Sequence, residues 1–364
     1  MCPYECVPLN NSTEEVRLLT LLPGAFGQNI EAKLSTTPLI LGYVPEYKAL
    51  SYCWGPSKDP QTITVNGESL AVTQSLATDL PYLRLPDRVR VLWIDAICVN
   101  QSDLLERSLQ VERMADVYSY AHRQPISIKP TDHSLGDVTS LPFWGKDVLD
   151  AIRELLNIAW FERLWIWQEI RLSNESSILV WGNNQILWRN FRDAILCLEW
   201  KKVHRLYPDS LSLATRFQTI VSIANKFDFM SFNTLLSVSR NSKCSDPRDR
   251  IYAILSLAKN YTNGYEPTLD VKPDYTKGAA DIYKEVTVQN LTQLKTLKFL
   301  THCELNEDGI DVPSWVPDWS TQRETFKLSF VKASGDSFLE TWTQSDGTLE
   351  VQIVLYILPV MEAC

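Results

Sequence analysis

The 364-residue sequence is short of histidine and of basic side chains, and it has no long apolar run. Its four histidines and eight scattered cysteines include no second pair at zinc-site spacing after Cys2 and Cys6, so no metal site is expected. The net charge of −9 argues against a nucleic-acid binder, which needs a basic face. The longest apolar stretch, VQIVLYILPV, is too short to span a bilayer as a helix. The N-terminus has no signal-peptide pattern, and a cytoplasmic protein is expected.

Common catalytic motifs are absent as well. No P-loop, GxGxxG, GxSxG or HExxH motif occurs in the chain. No bound cofactor is therefore expected.

What the sequence does contain is typical of a globular α/β protein, with 45% hydrophobic and 22% charged residues. Strands are predicted at 14–24 and 47–55, and a hairpin is predicted around Asn66-Gly67. Val89–Ile94 is an apolar run typical of a strand buried on both faces of a parallel sheet. An amphipathic helix follows from 103, with Asp103 and Glu106 as a capping box. This order predicts a doubly wound, mostly parallel sheet.

The second half is predicted to be mainly helical. A helix is expected over residues 146–171 and a hairpin turning at Gly182. Helices dominate after residue 190, and strands are expected in the tail from Phe326. We therefore predict an α/β domain over 1–185 and a mainly helical region with a few C-terminal strands over 186–364.

Two stretches lie where an open α/β sheet usually binds ligands, beyond the carboxyl ends of its strands. One is the loop from Ser51 to Gly55, and the other begins at Asp95, directly after the buried run. If the two strands are neighbours, both stretches face one crevice. The alternative is that Asp95 only caps the turn after its strand and binds backbone amides.

Glu169 is the second candidate carboxylate. It lies four residues after Trp165, and an indole on the same helix face would remove water from the carboxylate and raise its pKa. The alternative is a surface ion pair with Arg163 or Arg171. On the helix from 103, Glu106, Arg107 and Arg113 are expected to form only a solvated face.

Three blocks in order, YKALSYCWG, LWIDAICVNQSDLLERSLQVERMADVYSYA and WFERLWIWQEI, resemble the heterokaryon incompatibility (HET) domain of filamentous fungi. DPRDRIYAILSLA, PDYTKGAADIYKEV and VPSWVPDWS resemble the region that commonly follows it. The resemblance implies self/non-self recognition and programmed cell death after fusion of incompatible cells. It implies a protein partner from an incompatibility system and a homo-oligomer.

HET domains are thought to be distant relatives of TIR domains, some of which cleave NAD. The resemblance therefore implies a TIR/flavodoxin-like sheet and a candidate NAD glycohydrolase, with NAD as substrate rather than cofactor. Glu169 is the predicted catalytic residue, and Glu169→Gln is expected to abolish cleavage. In the same reading, Trp54 plugs the end of the sheet and Gly55 lets the backbone approach the ligand. The predicted nucleotide-binding residues are Ser51, Tyr52, Trp54, Gly55, Asp95 and Trp165.

One stretch departs from the family pattern. After SYAHR the family usually has an apolar strand ending in Trp-Leu-Gly, whereas this chain has QPISIKPTDHS, with Pro125 and Lys129 against a central strand. An incomplete or altered copy is one expectation from this departure. Two alternatives to an enzyme stay open: a non-catalytic signalling module acting by self-assembly, and a degenerate paralogue that does neither.

Overall fold

We describe the chain from a computed structural model. Its described residues are 3–10, 13–55, 59–121, 154, 157–181, 184–200, 211–225, 230–261, 269–294, 298–303, 309–321, 339–343 and 349–353.

By compactness the chain divides into two units. The first is Met1–Asp228 together with Pro273–Tyr275, and the second is Phe229–Lys272 together with Thr276–Cys364. The domain boundary at 185/186 that we expect from the sequence stays a prediction.

The first unit contains a six-stranded sheet packed with helices and a separate hairpin. The strands are β1 (Glu15–Leu21), β2 (Glu31–Pro38), β3 (Lys48–Ala49), β4 (Gln61–Val65), β5 (Glu68–Val72), β6 (Arg90–Trp93), β7 (Ile178–Trp181) and β8 (Asn184–Leu187). The order in the sheet is β3-β6-β1-β2-β4-β5, and β7 pairs with β8 in the hairpin.

The α/β class is confirmed, but the described sheet is mixed rather than mostly parallel. β1 pairs antiparallel with both β2 and β6, and β4 pairs antiparallel with β5. Only β2–β4 and β3–β6 are parallel. The reason is connection length: nine helix-free residues join β1 to β2, and a parallel neighbour needs a longer crossover. No strand was predicted at β2, where only Ala32 and Leu34 are buried apolar residues and the alternation is short.

β3 and β6 are parallel neighbours, which is the condition for the loops after them to face one crevice. Lys48 lies opposite Leu92, and Ala49 lies opposite Trp93. The predicted burial on both faces of the Val89–Ile94 run is confirmed only for its second half. Leu92 to Ile94 are at most 2% exposed, whereas Val89 is 49% exposed and lies before β6. Ser51 and Asp95 therefore both follow carboxyl ends of adjacent parallel strands.

The predicted hairpin at Asn66-Gly67 is confirmed as the β4–β5 turn. Asn66 has φ 53° and Gly67 has φ 83°, the left-handed conformation that tight hairpin turns need at both central positions. The Asn66 side chain also hydrogen-bonds Leu34 N and O of β2, at 3.0 and 3.1 Å. The turn thereby fastens the hairpin to the rest of the sheet.

The helices of the first unit include most of those expected from the sequence. Thr73 caps one of them and Asp103 another, the latter accepting N–H bonds from Leu105 and Glu106 at 3.0 Å. The helices are α1 (Pro3–Cys6), α2 (Gln74–Leu83), α3 (Asp95–Cys98), α4 (Leu104–Tyr120), α5 (Ile166–Arg171), α6 (Trp188–Trp200) and α7 (Leu211–Ala224).

The expectation that α4 shows only a solvated charged face is wrong. Glu106 binds the guanidinium of Arg17, which is 1% exposed on β1, and also accepts the Asn100 N–H at 2.6 Å. The Glu106 half of the predicted capping box is therefore wrong, since the Asp103 N–H donates to Asn100 O instead. Arg107 lies over the ring of Tyr275, 3.7 Å from its centroid. The apolar periodicity of α4 was readable from sequence, but these distant partners were not.

The single helix predicted over 146–171 is also corrected where the chain is described. A 3₁₀ helix covers Ala159–Glu162, the backbone at Arg163 is extended, and α5 begins only at Ile166. Tertiary hydrogen bonds from Trp160 and Arg163, given below, outweigh helix propensity here. The stretch QPISIKP, where the family usually has an apolar strand, and the predicted turn at Gly182 lie outside the described residues.

The second unit is mainly helical, as expected, and includes a two-stranded C-terminal sheet. Tyr283 packs edge-on against Trp319 at 5.1 Å between centroids, and its hydroxyl donates to Pro247 O at 2.7 Å. Its regular elements are α8 (Phe232–Val238), α9 (Asp249–Tyr261), α10 (Ala279–Gln289), a π-helix (Asn290–Leu294), a 3₁₀ helix (Lys298–His302), β9 (Leu339–Thr343) and β10 (Leu349–Ile353).

Candidate functional site

Glu169 lies on α5 and is 3% exposed. Arg163 binds both of its carboxylate oxygens, through Nη2 to Oε1 at 3.2 Å and Nη1 to Oε2 at 3.3 Å. The ion pair with Arg163 that we gave as an alternative is therefore present, but it is buried rather than at the surface. Arg171 is not involved, since its guanidinium donates to Ser222 O and Asn225 O.

Ser51 connects Glu169 to the end of β3. Its hydroxyl donates to Glu169 Oε2, and its oxygen accepts the indole N–H of Trp160 at 2.8 Å. Because Trp160 supplies the incoming proton, the single hydroxyl proton of Ser51 is directed to Glu169. Donors from two distant parts of the chain, Ser51 after β3 and Trp160 with Arg163 before α5, thus meet at one buried carboxylate or its hydroxyl partner.

Asp95 begins α3, directly beyond β6. Its Oδ2 accepts the indole N–H of Trp54 at 3.0 Å, and its Oδ1 accepts the Ala96 N–H at 2.8 Å. Asp95 therefore does bind a backbone amide, as the capping alternative expected, but it also holds a side chain from the β3 loop. The residue is half-buried.

The charges of this cluster act on one another. Burial raises the pKa of Asp95 to about 6; Arg163 opposes this rise and the negative charge of Glu169 adds to it. Burial lowers the pKa of Arg163, but Glu169 and Asp95 outweigh that effect and raise it overall. Glu169, Arg163 and Asp95 therefore form one electrostatic unit at the ends of β3 and β6, and we call these three residues with Ser51, Trp54 and Trp160 the strand-end cluster.

Tyr52 belongs to the core behind the cluster. It is 6% exposed, and its buried hydroxyl has no hydrogen-bond partner within the part of the chain described. Burial and the charge of Asp95 raise the pKa of this phenol.

The prediction that Trp54 plugs the end of the sheet is wrong. Trp54 is 37% exposed, and its indole N–H is directed to Asp95. Gly55 has φ 70°, and an added Cβ would meet Ser75 Cβ only at 3.4 Å. Gly55 is thus needed for its left-handed backbone, which turns the chain after Trp54.

Trp165 is one helical turn before Glu169, and its carbonyl accepts the Glu169 N–H at 3.1 Å. The two residues share a helical turn, as the spacing predicts. The indole bonded within the cluster is that of Trp160, which the sequence reasoning did not select. The sequence WFERLWIWQEI shows several aromatic residues, but no local pattern indicates that Trp160 binds a residue 109 positions away.

Two further properties bear on what the site can do. Among the residues that the structure describes, no group of His, Cys, Asp and Glu is arranged to hold a metal ion. Nor does the described chain include a helix of the length and apolarity that crossing a membrane would take.

The chain is thus an α/β protein with a polar cluster at the carboxyl ends of two parallel strands. Residues 47–144 match the family model described as "Heterokaryon incompatibility protein (HET)", and the chain carries a HET domain. Ser51, Trp54 and Asp95 lie inside the matched range, whereas Trp160, Arg163 and Glu169 lie beyond it.

The chain is also similar to "Heterokaryon incompatibility protein 6, OR allele" of Neurospora crassa. The two are 27% identical over 411 aligned residues, which cover 87% of this chain and 59% of the relative. This chain thus spans less than two thirds of the length of that relative. No solved structure matches this chain.

Proposed function

We propose that this protein acts in fungal heterokaryon incompatibility, triggering cell death through nucleotide chemistry at the strand-end cluster. The HET domain and the similarity to an incompatibility protein of Neurospora crassa support the role. The observation that carries the site is the placement of Ser51 and Asp95 beyond adjacent parallel strands, with Glu169 bonded to Ser51.

The proposed reaction is hydrolysis of the glycosidic bond of NAD or a related nucleotide, which follows from the resemblance to TIR domains. Nicotinamide leaves the ribose through a transition state with positive charge on the ring, which a nearby carboxylate stabilises. The cluster offers two carboxylates and one guanidinium. Trp54, partly exposed beside Asp95, offers an aromatic surface for a base or for the nicotinamide ring.

A non-catalytic signalling module acting by self-assembly is the second candidate function. Glu169 is 3% exposed and both of its oxygens are bound by Arg163. This is the arrangement expected of a carboxylate that holds the fold together rather than one that binds a ligand. In that case the cluster stabilises the domain, and the signal is the assembled surface.

The role and the chemistry are tested together in fungal cells. We would express the full chain from an inducible promoter and follow viability and the cellular NAD level. The double variant Asp95→Asn/Glu169→Gln serves as the inactive form, and Glu31→Gln, an exposed carboxylate on β2, serves as the matched control.

If the protein is an enzyme, expression of wild type or of Glu31→Gln should deplete NAD and then kill the cells. Expression of the double variant should leave both the NAD level and viability unchanged. Cell death with normal NAD in all three would favour the assembly module. Normal growth under expression of wild type would contradict the incompatibility role.

A further inference from the structure

This inference rests on the proposed function and assigns separate roles to the two carboxylates of the strand-end cluster. We propose that Asp95, rather than Glu169, is the carboxylate that meets the ligand, and that Glu169 is a positioning residue acting through Arg163. The resemblance implies the opposite assignment, so the two are distinguishable.

Glu169 is enclosed by protein donors. Arg163 contacts both of its oxygens, and the Ser51 hydroxyl adds a further bond to Oε2. With 3% of the residue exposed, a ribose hydroxyl could reach this carboxylate only after one of these donors had left. Removing a guanidinium from a buried carboxylate is strongly unfavourable, because it leaves the charge unpaired.

Asp95 has the opposite surroundings. It is half-buried, and its side-chain partner Trp54 is itself 37% exposed. Its other bond is to the N–H of the next residue, Ala96, so no charged side chain is hydrogen-bonded to it among the described residues. Asp95 is therefore the carboxylate of the cluster that a ligand at the strand ends meets first.

Arg163 links the two carboxylates. It is bonded to Glu169, and its charge lowers the pKa of Asp95 while that of Glu169 raises it. Glu169 thus holds the guanidinium at a position from which it tunes Asp95. Among the described residues, the other titratable groups whose pKa the charge of Asp95 raises are Tyr52 beside β3, Tyr118 on α4 and Cys98 on α3.

The reaction balances with water as the only co-reactant. The bond between C1′ of the ribose and the nicotinamide nitrogen breaks, and its electron pair leaves with nicotinamide. Ionised Asp95 stabilises the positive charge that develops at C1′. A water oxygen then bonds to C1′, and one proton is released to solvent.

The test compares Asp95→Asn with Glu169→Gln in the full chain, with Glu31→Gln as the control. Nicotinamide release from NAD is measured between pH 4.5 and pH 8. In parallel, the indole ¹⁵N–¹H signal of Trp54, assigned by its loss in Trp54→Phe, is followed during pH titration and during NAD titration.

Because the ionised form of Asp95 is required, release by wild type should rise with pH through a midpoint near 6. Asp95→Asn should lose at least ~100-fold of the rate. Glu169→Gln should keep release within about tenfold and move the midpoint to lower pH, because the negative charge that raises the Asp95 pKa is gone. A purely structural role of Glu169 would lower the rate without moving the midpoint, and that result overturns the inference.

Release abolished by Glu169→Gln but kept by Asp95→Asn would overturn the inference while leaving the proposed function standing. Absence of release from wild type would instead contradict the proposed function. The inference then depends on the Trp54 signal. An NAD-induced shift that is lost in Asp95→Asn and kept in Glu169→Gln supports it, and any other pattern overturns it.

Discussion

Arg17 allows the sharpest stability prediction. It lies on β1 at 1% exposure, and its guanidinium contacts Glu106 through two bonds of 2.5 and 3.0 Å. The same side chain donates to Val7 O at 2.7 Å and to Cys98 O at 3.3 Å. It also lies 5.0 Å from the centroid of the Tyr4 ring. One buried cation thus joins the N-terminal segment, β1, α3 and α4.

Arg17→Met keeps most of the aliphatic volume and removes the charge. Loss of one partner from a buried ion pair costs about 3–5 kcal/mol. We take the lower end, about 3 kcal/mol, because Glu106 is 12% exposed and keeps a backbone N–H bond to Asn100. With an m value of about 3 kcal/mol/M, the urea midpoint should fall by about 1 M.

The assay is urea unfolding followed by tryptophan fluorescence for wild type, Arg17→Met, Glu106→Gln and the double variant. The double variant should cost less than the sum of the single ones by at least about 1 kcal/mol, because the second change removes an already unpaired group. Additive costs, or a cost of Arg17→Met below about 1 kcal/mol, would refute the assignment of this pair as a major structural contact.

Three further predictions follow from local geometry. Asp103→Ala should lower the free energy of unfolding by about 1 kcal/mol in urea, because the first-turn N–H groups of α4 lose their acceptor, and an unchanged midpoint would contradict the cap. Gly67→Ala should cost about 1 kcal/mol in the same assay because of its φ of 83°, whereas Asn66→Gly tests the two side-chain bonds to β2 alone. Burial raises the pKa of the Cys98 thiol to about 12, so at pH 8 this thiol should react with a disulfide reagent only on unfolding, long after exposed Cys6. Rapid labelling of native Cys98, located by mass spectrometry, would contradict its burial.

How much of this fold could be predicted depended on how local each signal is. Asn66-Gly67 and Asp103 each predict a local conformation that the structure shows, and the Val89–Ile94 run predicts the strand β6 and the burial of its second half. The strand β2 carries a weaker signal, since only Ala32 and Leu34 are buried apolar residues in it. Without β2 the mixed pairing of the sheet could not be predicted.

The strand-end cluster was predictable only where local signals placed its residues. Ser51 and Asp95 were placed together because adjacent parallel strands end at one edge of a sheet. The bond of Trp160 to Ser51 and the enclosure of Glu169 by Arg163 depend on long-range packing. The orientation of Trp54 was missed because an aromatic residue before glycine is equally typical of a core plug and of a surface turn.

Nicotinamide release from NAD by the purified full chain is the most direct test of a nucleotide-cleaving strand-end cluster. It should be measured at concentrations high enough to favour assembly, beside Asp95→Asn/Glu169→Gln and Glu31→Gln. We expect release from wild type and Glu31→Gln at equal rates and none from the double variant. Equal release from all three, or none from wild type while it binds no NAD, would contradict a nucleotide site at the ends of β3 and β6.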